Sequence, residues 1–448
     1  MKNYKISFVG ASYLFCHRVF KDLTKIEELR DATVVIHDLA EEPIRIVTGV
    51  CKIMNRIAGT NIKVVGTTSR KEALKDADFV MICINVGGAG ADMEVQKVCR
   101  KYGVTYPAGD TIGPSAIVRS MRNIEALLSI AKDMERFCPD AWMINFTNPM
   151  SQLTLAVNKY SKIKCVGLCH EIGKVEDLAA RMYSAEPKNV SVVAAGVNHF
   201  TWVLEVWANG QNKTKTFHDD FVKFVDKPRT GNRKSRDWVE QEKLSETWKI
   251  SRVLFDRFGL LPVGGDRHSS EFFPYYFGKR TGNGKLFGMK EIDFPARAKG
   301  RAESKARLES WIAGKEDPWD MDKPSGEEAH HIITSVIRNS CHVNPAVNIL
   351  NNGCMSNIPD DHCVEVPAVV GQYGIKPLSL GKLPENIAAL IGRMGSIYKY
   401  TVEAAVTGDK KLVMKALVLD PLLQEYENAD KLLNELIESQ KKYLPKFK

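Results

Sequence analysis

The chain opens on short apolar runs separated by small residues and amphipathic stretches. Lys5 to Val9 predicts a strand, Gly10-Ala11-Ser12 a turn, and the spacing beyond it a helix from about Leu14 to Leu29. Thr33 to His37 predicts a second strand, which ends at Asp38, twenty-eight residues after Gly10. Helical periodicity around Glu41 to Ile57, a strand at Lys63 to Val65 and a helix at Ser69 to Lys75 come next. Phe79 to Ile84 is continuously apolar, as expected of a parallel strand buried on both faces, and gives way to Asn85-Val86-Gly87-Gly88. A helix over Ala116 to Cys138 and strands at Trp142 to Phe146 and Cys165 to Leu168 complete the series. This alternation predicts an α/β fold with a Rossmann-type domain over residues 1–195. Thr201 to Trp207 alternates like a strand, and the pattern then turns mostly helical with loops, with long amphipathic helices from Leu383 to Leu444. Residues 196–448 are therefore expected to form an α+β, largely helical C-terminal domain for metal, substrate and oligomer contacts. Asp226 to Lys243, charged and poor in aromatics, predicts an exposed excursion or a lid edge.

Composition narrows the function classes. With 448 residues, 44% hydrophobic and 26% charged, the chain can bury a large core. The formal charge of +9 is spread along the sequence, which argues against a nucleic-acid-binding arm and suits small acidic substrates. The ten cysteines show no paired spacing and read as the reduced thiols of a cytoplasmic protein. The first residues enter a strand directly, without the pattern of a secretion signal, and no apolar run approaches the roughly 20 residues of a membrane span.

The Gly10-Ala11-Ser12 turn lacks the later glycines of the full dinucleotide fingerprint, but Asp38 strengthens the cofactor reading. A carboxylate at the end of the second strand accepts both ribose hydroxyls and repels a 2′-phosphate, so NAD is expected over NADP. Asn85, Val86 and Gly87 at one strand end, and Asn145 and Asn148 at another, are placed to line the ribose and nicotinamide. The alternative for each asparagine is a turn residue bonding its own backbone. Cys169 and His199, thirty positions apart, offer a thiolate and an imidazole to one metal ion. Two protein ligands leave positions open for substrate oxygens and water, unlike a closed structural zinc site, and suit an octahedral ion such as Mn2+. Between Gly264 and Glu271 four ionisable side chains crowd a polar loop beside Phe272, Phe273, Tyr275 and Tyr276. There Asp266 is a candidate base and Arg267 or His268 a candidate anion reader; a solvated loop is the plain alternative. Pro107 to Pro114 resembles a lid or helix-capping turn, with Arg119 and Arg122 on the following helix.

Taken together these segments resemble the NAD- and Mn-dependent family 4 glycoside hydrolases. The likeness runs nearly end to end, through Gly109-Asp110-Thr111-Ile112-Gly113-Pro114, Asn145-Phe146-Thr147-Asn148-Pro149, Cys169-His170-Glu171, Gly196-Val197-Asn198-His199, Ser325-Gly326-Glu327, Asn357-Ile358-Pro359 and Val364-Glu365-Val366-Pro367. The resemblance implies a lactate/malate dehydrogenase-like fold and a redox elimination, an exception to two-carboxylate glycoside hydrolysis. Hydride leaves C3 for NAD, a base removes the acidified C2 proton, the C1 group departs, water adds and the hydride returns. It implies Cys169 and His199 as metal ligands, Asp266 as base with Tyr275 or Tyr276 in reserve, and His170 as proton donor to the departing oxygen. Asn148, Arg267 and His268 would meet the sugar, while Gly10, Ser12, Asp38, Asn85, Val86 and Asn145 would meet NAD. Ser12 stands where the family usually keeps glycine. His170-Glu171 after the cysteine looks like the branch acting on non-phosphorylated α-glycosides, and Pro262 to Phe272 looks most like the α-galacturonidases. A small saccharide substrate and a homodimer or homotetramer are expected.

Competing readings remain an α-glucosidase or 6-phospho-glycosidase of the same family, and an NAD-dependent 2-hydroxy acid dehydrogenase. The dehydrogenase reading leaves Cys169 without a purpose. A catalytically silent NAD-binding regulator would have no need of Cys169, His199 and Asp266 together.

Overall fold

The computed structural model describes residues 2–227, 247–318 and 321–448. Most of the predicted excursion at Asp226 to Lys243 lies outside the described residues. Six strands, β1 (Lys5–Val9), β2 (Thr33–His37), β3 (Lys63–Thr67), β4 (Phe79–Ile82), β5 (Trp142–Asn145) and β6 (Lys164–Gly167), pair in parallel in the order β3-β2-β1-β4-β5-β6. That order is the doubly wound one with its switch between β1 and β4, where the crevice for a dinucleotide opens. Every residue of β4 is buried, in line with its unbroken apolar run. The predicted first helix is shorter than its periodicity, running Cys16–Leu23 before a single 3₁₀ turn at Glu27–Leu29.

The sheet does not stop at the nucleotide-binding half. Strands β7 (Val190–Val197), β8 (Phe200–Ala208), β9 (Gln211–Asn212), β10 (His342–Leu350), β11 (Cys363–Gly371) and β12 (Gly374–Pro377) extend it as β6-β10-β11-β7-β8-β9, with β12 also on β11. Strand β7 straddles residue 195, where the sequence pattern places a domain boundary, and pairs with β8 and β11. Beyond Trp207 the chain is mostly helical, as expected of an α+β C-terminal domain, and β9 to β12 are its strands. Asn344, Pro345, Asn348 and Glu365 break the apolar pattern of β10 and β11, yet Asn344, Asn348 and Glu365 are buried. Periodicity cannot register polar residues whose burial depends on mutual hydrogen bonds.

One row crosses the seam between the halves: Gly167 of β6 pairs with Asn348 of β10, Asn348 with Glu365 of β11, and Glu365 with Gly196 of β7. The Glu365 carboxylate accepts from the amides of Asn198 at 2.8 Å and Asn348 at 2.7 Å. Cys169 follows β6 and His199 follows β7, so both candidate metal ligands leave the sheet beside this seam. The helices Glu385–Thr407, Lys410–Leu419 and Ala429–Gln440 confirm the helical reading of the C-terminal third.

Candidate active site

At the nucleotide end, Gly10 holds φ at +101°, and a Cβ there would meet the Cys83 carbonyl oxygen at 2.1 Å. Only glycine lets β1 turn so close to the end of β4. Asp38 closes the same corner, accepting from the Ala11 and Ala40 amides at 2.8 and 3.2 Å. Ser12 takes part through its backbone, donating to the Gly10 carbonyl at 3.0 Å. The Val86 amide is held by Asn123 at 2.9 Å, while Asn85 donates to Asp92 and keeps a buried side-chain oxygen with no partner among the described residues. Asn145 is fully buried and spends its side chain on its own turn, accepting from the Thr147 amide at 3.0 Å and donating to the Thr147 carbonyl at 3.1 Å. Of the two readings of Asn145, the turn is what the geometry displays. Asn148 likewise accepts from the Met150 amide at 3.2 Å, although it is only partly buried. The glycine cradle, the acid at the end of β2 and the orphaned Asn85 oxygen together fit a bound dinucleotide.

His199 occupies the tight turn between β7 and β8 with φ +63°, a left-handed conformation that costs a branched or bulky side chain energy. Gly264 presses against the same turn, since a Cβ there would meet the His199 carbonyl oxygen at 2.4 Å. The His199 ring shares a 2.5 Å hydrogen bond with the Thr111 hydroxyl and stacks on His268 with centroids 4.0 Å apart. Asp110 completes the group, for donor atoms of Asp110, His199 and His268 all lie within 4.8 Å of one another. Burial alone would raise the Asp110 carboxyl, but His268, His199, Arg119 and Arg297 outweigh it and hold the acid well below the usual carboxylate range. Burial beside His199 pushes His268 well below the usual imidazole value, and its buried Nδ1 has no hydrogen-bond partner among the described residues. Two imidazoles and a carboxylate suit a divalent ion of the Mn, Fe or Zn kind.

Cys169 stands outside this trio. Its side chain is 9% exposed, burial together with Glu365 and Glu171 pushes the thiol well up, and the Asn198 amide partly opposes that shift. The thiol thus meets the His199 turn through its neighbour Asn198. His170 turns outward, and its Nδ1 lies 3.6 Å from Glu327, whose carboxylate raises the imidazole's affinity for a proton. Glu171 is buried and paired with Lys174 at 2.7 Å at the start of the helix Ile172–Met182.

The segment expected to be a polar loop is the helix Gly265–Phe272. Asp266 points away from the trio: its oxygens accept from the Ile250 amide at 3.0 Å, the Ser251 amide at 2.8 Å and the Ser251 hydroxyl at 2.9 Å. Burial lifts this carboxyl to about 6 against those bonds, but its acceptor positions are taken up at the start of the helix Lys249–Phe258. Arg267 donates Nε and Nη2 to the Pro107 carbonyl at 3.1 and 3.0 Å. Tyr275 is 60% exposed, against Phe273 and Tyr276, and Tyr276 is buried. Phe272 stacks on Phe200 at 4.0 Å as part of the core, so the aromatics anchor the helix more than they line a cleft. Asp266→Ala is therefore expected to cost about 1–2 kcal/mol in denaturant melts, as the loss of a helix cap does. Loss of all activity with stability unchanged would return the role of base to Asp266.

Two residues that the sequence did not single out, Glu271 and Asp110, organise the centre. Glu271 is fully buried and accepts from the Ala108 and Gly109 amides at 2.9 and 2.7 Å, and this bond with that of Arg267 delivers Asp110 to the histidines. The available signal was the Gly109-Asp110-Thr111 motif itself, which reads locally as a turn.

Comparison with known proteins agrees with this architecture. Residues 5–184 match the family 4 glycosyl hydrolases and residues 194–423 match that family's C-terminal domain. An alpha-galactosidase of Rhizobium meliloti is 28% identical over 100% of this chain and 90% of its own length. An alpha-galacturonidase of Thermoanaerobacterium saccharolyticum is 30% identical over 98% of this chain and 96% of its own. A 6-phospho-alpha-glucosidase from gut microorganisms, solved with NAD and Mn2+, superimposes with a TM-score of 0.83 at 19% identity, covering 100% of both chains. A Cryptosporidium parvum lactate dehydrogenase superimposes at 0.53 and 14% identity over 91% of this chain and 99% of its own, a likeness of fold alone. With nearly the whole chain matched in two consecutive parts, the protein belongs to the family 4 glycosyl hydrolases and is a glycosidase built on a Rossmann-type domain.

Proposed function

We propose that this protein hydrolyses a non-phosphorylated α-galacturonide by transient oxidation at C3, deprotonation at C2 and elimination at C1, using NAD and Mn2+. The observation that carries the reading is a nucleotide crevice in the same sheet as a cluster of nitrogen and oxygen donors, the partly buried Asp110 with the buried His199 and His268. NAD supplies a reversible hydride acceptor, and Mn2+ supplies a Lewis acid for the sugar's oxygens. His199 and Asp110 would hold the metal, with Cys169 on the Asn198 side of the same turn. His268 offers to the C2 proton its Nδ1, which has no hydrogen-bond partner among the described residues, and Asp110 Oδ1, 4.0 Å away, stabilises the resulting imidazolium. His170 gives a proton to the departing oxygen, its charged form favoured by Glu327. The alpha-galacturonidase and alpha-galactosidase relatives support a galacto-configured sugar. The reading extends to a cytoplasmic location, which the ten free cysteines support, and to a homodimer or homotetramer.

The test is a panel of p-nitrophenyl α-galacturonide, α-galactoside, α-glucoside and α-glucuronide with their 6-phospho counterparts, assayed with NAD, Mn2+ and reductant. Preference for the galacturonide supports the proposal, and activity confined to 6-phospho sugars overturns it. Incorporation of solvent deuterium at C2 of the product is expected, and its absence removes the elimination route. Cys169→Ser should lower activity about 10- to 100-fold and raise the Mn2+ concentration needed for half-activation. Full activity of this variant in the presence of chelator would eliminate the metal-dependent mechanism.

A further inference from the structure

We propose that Asp92 is a positioning residue for the cofactor: held by Arg122 and Gln440, it orients the Asn85 amide so that the side-chain oxygen accepts a hydrogen bond from NAD. The inference rests on NAD occupying the crevice between the ends of β1 and β4. Asn85 stands just beyond β4, two residues after Cys83, whose carbonyl lies against the Gly10 turn.

An amide side chain carries a donor and an acceptor, and what it shows a ligand depends on which of them its neighbour takes. Asn85 gives its Nδ2 to Asp92 Oδ2 at 3.0 Å, and because a carboxylate only accepts, the amide has one orientation. Its Oδ1 is left buried with no hydrogen-bond partner among the described residues. A buried acceptor in that state is costly until a donor reaches it, and NAD brings donors in its ribose hydroxyls and carboxamide.

Asp92 is itself held from behind. It is buried on the helix Gly88–Lys101, and its Oδ1 accepts from Nη2 of the buried Arg122 on the helix Gly113–Phe137. Nη1 of Arg122 donates at 2.6 Å to Oε1 of Gln440, the buried last residue of the helix Ala429–Gln440. Arg119 stays 4.0 Å from Asp92 Oδ2, outside hydrogen-bond reach, so that oxygen remains with Asn85. A continuous series of side-chain hydrogen bonds thus joins the C-terminal helix to the loop at the end of β4. The backbone of the same loop is pinned too: Asn123 accepts from the Val86 amide at 2.9 Å, and a Cβ on Gly87 would meet the Tyr443 ring at 3.1 Å.

The experiment titrates the full chain with NAD, and separately with Mn2+, by calorimetry. Asp92→Asn keeps an oxygen for Arg122 but turns an N–H₂ toward Asn85, whose amide must flip and show NAD a donor where an acceptor stood. NAD should bind at least about 10-fold more weakly, with Mn2+ affinity changed less than about threefold. Asn85→Asp should weaken NAD as well, since it sets two carboxylates face to face. The double variant Asn85→Asp with Asp92→Asn restores a donor–acceptor pair with an acceptor toward NAD, and should return to within about threefold of wild type. Lost packing at position 92 would give no such recovery. If Asp92→Asn does not fold, Gln440→Met decides, because it keeps both charges and releases only Arg122: NAD should weaken at least about threefold, and unchanged NAD affinity overturns the proposal. A folded Asp92→Asn that binds NAD like wild type, a double variant no tighter than Asp92→Asn, or equal losses for NAD and Mn2+ also overturns it. If wild type itself does not bind NAD, the cofactor reading fails and the positioning role with it.

Discussion

His199→Gly should abolish glycoside hydrolysis, lowering kcat/KM by at least about 10³-fold, while leaving the melting temperature close to that of wild type. The activity loss follows from the position of the ring, which touches Thr111, stacks on His268 and shares a donor cluster with Asp110. Removing one group that fixes charge stabilisation at a reacting centre costs about two to three orders of magnitude, and here a metal ligand goes with it. The small effect on stability follows from the backbone. His199 is held at φ +63°, where glycine is relieved of a penalty of about 1 kcal/mol, offsetting the lost hydrogen bond to Thr111. Mn2+ binding, measured by titration calorimetry, should weaken in parallel with activity. Retained hydrolysis in a folded His199→Gly would place this residue outside the reaction and leave the strained turn without a functional reason.

That turn also shows how far residues reveal a site before coordinates do. The Rossmann half was legible because its strands are short unbroken apolar runs and its turns carry glycine or an acid at fixed places, as at Gly10, Asp38 and Gly87. The seam was not legible. Asn198, Asn348 and Glu365 are buried polar residues joined by the two amides that donate to the Glu365 carboxylate, and along the chain they look like interruptions of strands. The direction of a side chain was hidden as well. Asp266, Arg267 and Glu271 were visible as a polar group, but their helix turns about 100° per residue. Asp266 consequently faces the Ile250–Ser251 amides while Arg267 and Glu271 face the Pro107–Gly109 loop. The residue placed with the histidines is Asp110, whose loop reads locally as a turn.

Glu271 carries the largest structural consequence. It is fully buried, one oxygen accepts from both the Ala108 and Gly109 amides, and the other has no hydrogen-bond partner among the described residues. Glu271→Ala should cost about 2–5 kcal/mol, because two buried amides lose their acceptor and a cavity opens. It should also lower kcat/KM, since the loop that delivers Asp110 is released. Glu271→Gln separates packing from charge, because it keeps an acceptor for both amides and has no proton to lose. Burial, reinforced by the Asp110 charge, raises the Glu271 carboxyl from 4.5 to about 8. The folded protein therefore binds more protons at this site than the unfolded chain across that window. With the folded value above the unfolded one, the wild type should lose stability as pH rises from about 5 to about 8. Glu271→Gln should flatten that slope in urea melts taken across the window, and it should match or exceed the wild type at pH 8. Parallel pH curves for the two proteins would mean that Glu271 is already ionised at pH 5, and that the two loop amides outweigh its burial.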